Sequence, residues 1–197
     1  VSMLTRKELE QRYWRYYLML EKRFKESIEY VELHKDNYKA FSNGYALMIQ
    51  SIGAELDTVF KEFCGFNTED RKTIENYAQY ILEEDPDIIN RIIVLQGYDM
   101  EIQPFKTWNI EHASQSLKWW FAFNKTKHNR FNKLKLAKLE NALNILGALY
   151  MIEMMYLKKI TKDTQDVDIF DERSELFKIK GWETRTIPMQ DIVAMTY

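Results

Sequence analysis

The stretch Leu139-Glu140-Asn141-Ala142-Leu143-Asn144-Ile145-Leu146-Gly147-Ala148-Leu149-Tyr150-Met151-Ile152-Glu153-Met154-Met155 decides the fold class. Leu139, Ala142, Leu143, Leu146, Leu149, Tyr150 and Met154 recur at three- and four-residue steps, the pattern of one helix face. The spacing predicts a helix from about Lys135 to Ile160. Met151, Met154 and Met155 read as core filling rather than as a soft-metal site.

The same period extends outward. Tyr13, Tyr16, Tyr17, Leu20, Phe24, Ile28 and Val31 predict a helix over about 6–34, opened by Thr5 and Glu8 at capping-box spacing. Met48, Ile49, Ile52, Leu56, Val59, Phe60 and Phe63 predict a second over about 38–63, ended by Gly65. Thr68 is expected to cap a third, to about Leu82. Ser114 or Ser116 is expected to cap a helix over about 116–129, with a break near Asn129–Asn132. Glu84-Asp85-Pro86-Asp87 breaks helix, and Ile92-Ile93-Val94-Leu95 suits one short strand pair within 83–107. Beyond the last helix, 163–173 reads as a polar linker. Residues 176–185 alternate around Gly181, which predicts a small hairpin.

The expected fold is therefore all-α, an antiparallel helical bundle with a small β-hairpin or irregular additions. The bundle domain is expected over 1–160, with 161–197 a linker and hairpin-like extension packed on the same domain. Six Gly and three Pro among 197 residues favour long helices over turn-rich β structure. A single cysteine, Cys64, excludes an internal disulfide and reads as a small packed hydrophobe. The apolar runs are too short to span a bilayer, and no membrane partner is expected. The expected location is cytoplasmic.

Charge is distributed unevenly. The whole chain carries a formal net charge of −2, yet 117–138 holds seven Lys/Arg and no Asp or Glu. Residues 68–101 hold nine acidic and three basic side chains. Within the basic segment stands Trp119-Trp120-Phe121-Ala122-Phe123-Asn124-Lys125-Thr126-Lys127-His128-Asn129-Arg130. A local surplus of cations attracts phosphate. Lys118, Lys125, Lys133 and Lys135 are the expected phosphate contacts, and Trp119 the aromatic one. Interleaved aromatics can stack bases or belong to the core.

Asn124, Lys127 and His128 stand at i, i+3 and i+4 and share a helix face with Trp120 and Phe131. A polar trio interrupting an apolar stripe needs a partner or a ligand, because an unpaired buried polar group costs about 1–3 kcal/mol. The candidate partner is Glu55, three after Ile52 and four before Val59, on or beside the stripe of the second helix. It is expected to face Lys127, His128 or Arg130. Asp57 is expected to be solvated and paired with Lys61 at i+4.

Other chemistries lack their residues. His34, His112 and His128 have no metal-ligand spacing, and no metal or cofactor is expected. No phosphate-binding glycine loop and no nucleophile elbow is present.

Taken with Ser51-Ile52-Gly53-Ala54-Glu55-Leu56-Asp57 and Pro104-Phe105-Lys106-Thr107-Trp108, the Trp119–Arg130 motif resembles the HEPN superfamily of prokaryotic helical proteins, over roughly 10–160. The resemblance implies a bundle that commonly dimerises. Many members are metal-independent ribonucleases of toxin–antitoxin, abortive-infection or CRISPR systems, and others bind nucleotides or proteins without catalysis. The active members carry an Arg, then a polar residue, then a His four to six positions on. Asn124 and His128 match this pattern, and Phe123 stands where the Arg is expected.

Three functions follow as expectations. The first is RNA or nucleotide binding through the basic aromatic helix, in a phage-defence or toxin–antitoxin setting. The second is a non-enzymatic interaction module, a homodimer or the partner of an antitoxin-like protein, in which the Asn/Lys/His cluster is structural. The third is a metal-independent ribonuclease. There His128 transfers the proton, Lys127 and Arg130 stabilise phosphorane charge, and Asn124 positions the phosphate.

Overall fold

Thr5 opens the first helix as its spacing requires. Its hydroxyl accepts from the Glu8 backbone N–H at 3.2 Å while Glu8 accepts from the Thr5 N–H at 3.0 Å. The computed structural model describes residues 3–67, 69–162 and 169–182. Helix α1 comprises Arg6–Leu9, a π turn at Glu10–Trp14 and Arg15–Ile28. It ends short of the expected 34, and Tyr16 of the expected stripe faces solvent.

Helix α2 spans Asn43–Cys64. It starts later than expected because Ser42 accepts from the Tyr45 N–H. It stops at Gly65, whose φ of 69° is the left-handed conformation that glycine tolerates. Helix α3 spans Ile74–Glu84 and is capped by Thr73 with Asn76 rather than by Thr68, which lies outside the described residues.

The short α4, Ala113–Ser116, precedes α5, Lys118–Lys133. Neither Ser114 nor Ser116 caps α5; its N-cap position is Leu117. Helix α6, Leu139–Thr161, is apolar on most of its circumference and is buried nearly all round, as the central helix of a bundle must be. It starts at Leu139 because Leu134–Leu136 forms a 3-10 turn.

The chain is mostly helical, with α6 at the centre and α1, α2 and α5 packed around it. Among the described residues one small antiparallel sheet is added. Strand β1, Ile93–Leu95, pairs with β2, Glu101–Ile102, as expected. The tail is described only to Trp182, so 183–185 of the expected hairpin lie outside the described residues. Its strand β3, Phe177–Ile179, joins the other edge of β1, with Ile93 opposite Ile179. A lone hairpin buries too little apolar surface to hold. Here Phe177 and Ile179 are buried in the core, which the alternation alone did not reveal.

Residues 163–168 of the expected linker lie outside the described residues. Past them, Phe170 is buried and stacked on Trp14, with ring centroids 4.1 Å apart.

Candidate nucleic-acid interface

Helix α5 has two faces. Trp119, Trp120, Ala122, Phe123 and Thr126 are buried. Lys118, Lys125, Lys127 and His128 are exposed. Trp119 is a core residue rather than a nucleic-acid contact. Its indole N–H donates to the Pro104 carbonyl at 2.8 Å, and its ring meets Phe105 edge-on. Phe123, at the position of the expected Arg, lies against Gly53 of α2.

The break falls where expected. Asn129 has φ −149° and ψ 66°, which is not helical. Several bonds hold it. The Thr126 hydroxyl donates back to the Ala122 carbonyl at 2.8 Å, a bond that bends helices. Gln50 of α2 donates to the Thr126 carbonyl at 3.4 Å. The Asn129 side chain accepts from the Asn132 N–H at 3.3 Å, and Arg130 donates to Asn43.

Past the kink the chain projects outward. Arg130, Phe131, Asn132, Lys133 and Lys135 are all exposed, and Phe131 is 89% exposed. Phe131 therefore does not continue the apolar stripe through Trp120, because the non-helical Asn129 turns it away from the core.

Among the described residues no carboxylate lies within ion-pair reach of Lys118, Lys125, Lys127, Arg130, Lys133 or Lys135. Lys138, the seventh cation, is paired with Glu140 at 2.7 Å. Lys125 lies over the Phe121 ring at 5.2 Å and Lys127 over the Phe123 ring at 5.6 Å.

The expected trio divides. Asn124 and Lys127 line a cleft of about 420 Å³ between α5, α2 and the start of α3, and His128 does not. Thr73 and Ser114 bring hydroxyls to this cleft. Its carboxylates include Asp57, not Glu55. At 100° per residue, position 57 lies about 40° from Gly53, whereas position 55 lies about 200° from it. Gly53 meets α5, so Glu55 points away from the basic helix.

Glu55 accordingly makes no ion pair with Lys127, His128 or Arg130. It lies within electrostatic reach of Tyr13 on α1 and Glu153 on α6. Burial pushes its carboxyl up to about 7. Asp57 pairs with Lys61 at 3.4 Å as expected, and it also accepts from the Tyr77 hydroxyl at 2.9 Å.

Catalytic and metal chemistries have few supporting groups here. Among the described residues His128 makes no hydrogen bond or ion pair, and no three His, Cys, Asp or Glu side chains gather to hold a metal. Cys64 is buried, and burial pushes its thiol up to about 12, which suits packing rather than nucleophilic attack. No described helix is long and apolar enough to cross a membrane.

The sequence pattern alone did not find Phe131 as the exposed ring. The signal was present in the Asn129–Asn132 break, since a residue just past a break need not follow the helix face before it. No protein-family model, curated protein or solved structure matches this chain.

Proposed function

We propose that the kinked basic end of α5 binds single-stranded RNA. Lys125, Lys127, Arg130, Lys133 and Lys135 neutralise phosphates, and Phe131 stacks a base. The observation that carries this reading is a single one. A ring that is 89% exposed stands among cations that have no carboxylate partner. Exposing a Phe ring to water costs hydrophobic free energy. Base–aromatic stacking recovers about 1–3 kcal/mol per base.

Single strands fit better than duplex. Their unstacked bases present a face to an aromatic ring, whereas a duplex offers mostly backbone. The cleft lined by Asn124 and Lys127 adjoins the same helix and extends the polar surface.

The proposed activity is binding without cleavage. Proton transfer at the 2′-hydroxyl needs an acid and a base placed together. His128 stands exposed without a bonded partner, and Phe123 is packed in the core. This is consistent with the non-catalytic branch of the HEPN resemblance.

The test is fluorescence anisotropy with a labelled single-stranded RNA. Lys125→Glu with Lys133→Glu is expected to abolish binding while leaving the circular dichroism spectrum unchanged. His128→Ala is expected to leave affinity intact. Undiminished binding by the double charge reversal would overturn the proposal.

A further inference from the structure

The C-terminal end of α6 borders a cavity of about 440 Å³. Segments far apart in sequence meet there. Phe63 comes from the end of α2 and Tyr80 from α3. Met155, Lys158 and Lys159 come from α6. Arg91 enters from the segment between α3 and β1, and Trp182 from just past β3.

Aromatic rings hold the cations in place. The Lys158 ammonium lies over the Trp182 ring at 4.4 Å, and the Arg91 guanidinium lies over the same ring at 5.5 Å. Lys159 lies over the Phe63 ring at 4.9 Å and the Tyr80 ring at 5.3 Å. It donates to the Phe63 carbonyl at 3.2 Å and to the Tyr80 hydroxyl at 3.1 Å.

Their donors are not all used. Arg91 turns Nη1 to Asp85 at 2.6 Å and to the Met155 sulfur at 3.6 Å. Among the described residues its Nε and Nη2 make no hydrogen bond. Its side chain is only 20% exposed, so this edge of the fork is held rather than free to sweep through solvent. Lys158 has no hydrogen bond or ion pair among the described residues. Lys159 keeps a third N–H beyond the two that it donates. Of the carboxylates at the cavity, Asp85 is already neutralised by Arg91, and Glu84 is exposed at the end of α3.

The dipole of α6 favours cations on its last turn, which accounts for Lys158 and Lys159. It does not account for Arg91, which reaches the same indole from another segment. Like charges gathered on one ring repel. An anion bound between them relieves that repulsion.

We propose that this cavity binds a small organic phosphate. The Nε–Nη2 edge of Arg91 matches two phosphate oxygens in the bidentate geometry that guanidinium favours. Lys158 and the third N–H of Lys159 supply further donors. Cations from two directions suit the three terminal oxygens of a phosphate better than the two of a carboxylate. The apolar remainder of the ligand lies against Phe63 and Met155. Twenty-three residues of helix place this end of α6 roughly 30 Å from its start beside α5. The cavity is thus separate from the proposed RNA interface.

Isothermal titration calorimetry on the full chain tests this, with phenyl phosphate as the probe. Phenyl phosphate is expected to bind with a Kd below about 1 mM. Benzoate is expected to bind more weakly, and phenol not measurably. Lys158→Glu, at an exposed helix end, is expected to weaken phenyl phosphate binding at least about tenfold, the effect of losing one charge-assisted hydrogen bond. Lys125→Glu with Lys133→Glu is expected to leave it unchanged. A Kd for phenyl phosphate above about 1 mM in the unmodified protein would overturn the site. So would equal affinity for benzoate or phenol, undiminished binding in Lys158→Glu, or loss of binding in the α5 double variant.

Discussion

The ring of Phe123 on α5 lies directly against Gly53 on α2, where a Cβ would meet Phe123 Cδ2 at 2.3 Å. This approach sets the rotation of α5 about its axis. Phe123 and Trp120 face inward, and Lys125 and Lys127 face outward.

Gly53→Ala tests that contact. Alanine gains roughly 1 kcal/mol of helix propensity over glycine, but overpacking costs about 1–3 kcal/mol and occasionally more. At 2.3 Å the ring must move, so the urea midpoint is expected to fall. Adding Phe123→Leu is expected to restore part of the loss. A midpoint that is unchanged or higher in Gly53→Ala would mean that the two helices do not meet there.

Glu153→Met is expected to stabilise the protein. It replaces an unpartnered buried carboxyl with an unbranched apolar side chain of similar length, a gain of about 1–3 kcal/mol at neutral pH. The sign with pH is fixed. The folded carboxyl titrates above the unfolded one, so the native protein loses stability as pH rises above about 4.3 and the Met variant loses less. The gain is thus smaller at about pH 4 than at about pH 7.5. Equal gains at both would show that Glu153 is solvated.

The sequence made some of this legible. Thr5 with Glu8, Gly65 and the Asn129 break are local signals, complete within a few residues, and each lies where the spacing puts it. The start of α3 was misplaced because Thr73, like Thr68, offers a capping hydroxyl, and tertiary packing of Ile74 and Tyr77 selects between them. The pairing of β3 with β1 is non-local, so alternation in the tail could not name its partner. The orientation of Glu55 depended on which face of α2 receives α5. That is set by Gly53 and Phe123, a contact between residues seventy positions apart. Exposure of Phe131 likewise depended on the kink angle rather than on its spacing.

Phe131→Ala separates binding from folding. The side chain is 89% exposed, so stability is expected to stay within about 0.5 kcal/mol. Affinity for single-stranded RNA is expected to weaken by about 1–3 kcal/mol, the contribution of one stacked base. Calorimetry and anisotropy on the same preparation measure both. Unchanged affinity would remove Phe131 from the interface.

Whether the cations around the kink of α5 engage phosphates is measured most directly by the salt dependence of binding. Affinity for a single-stranded RNA is measured by anisotropy between about 25 and about 300 mM salt. Five neutralised phosphates give a slope of about −3.5 in log K against log salt, and Lys133→Ala makes it shallower by about 0.7. A slope near zero, or no binding at the lowest salt, would contradict the account.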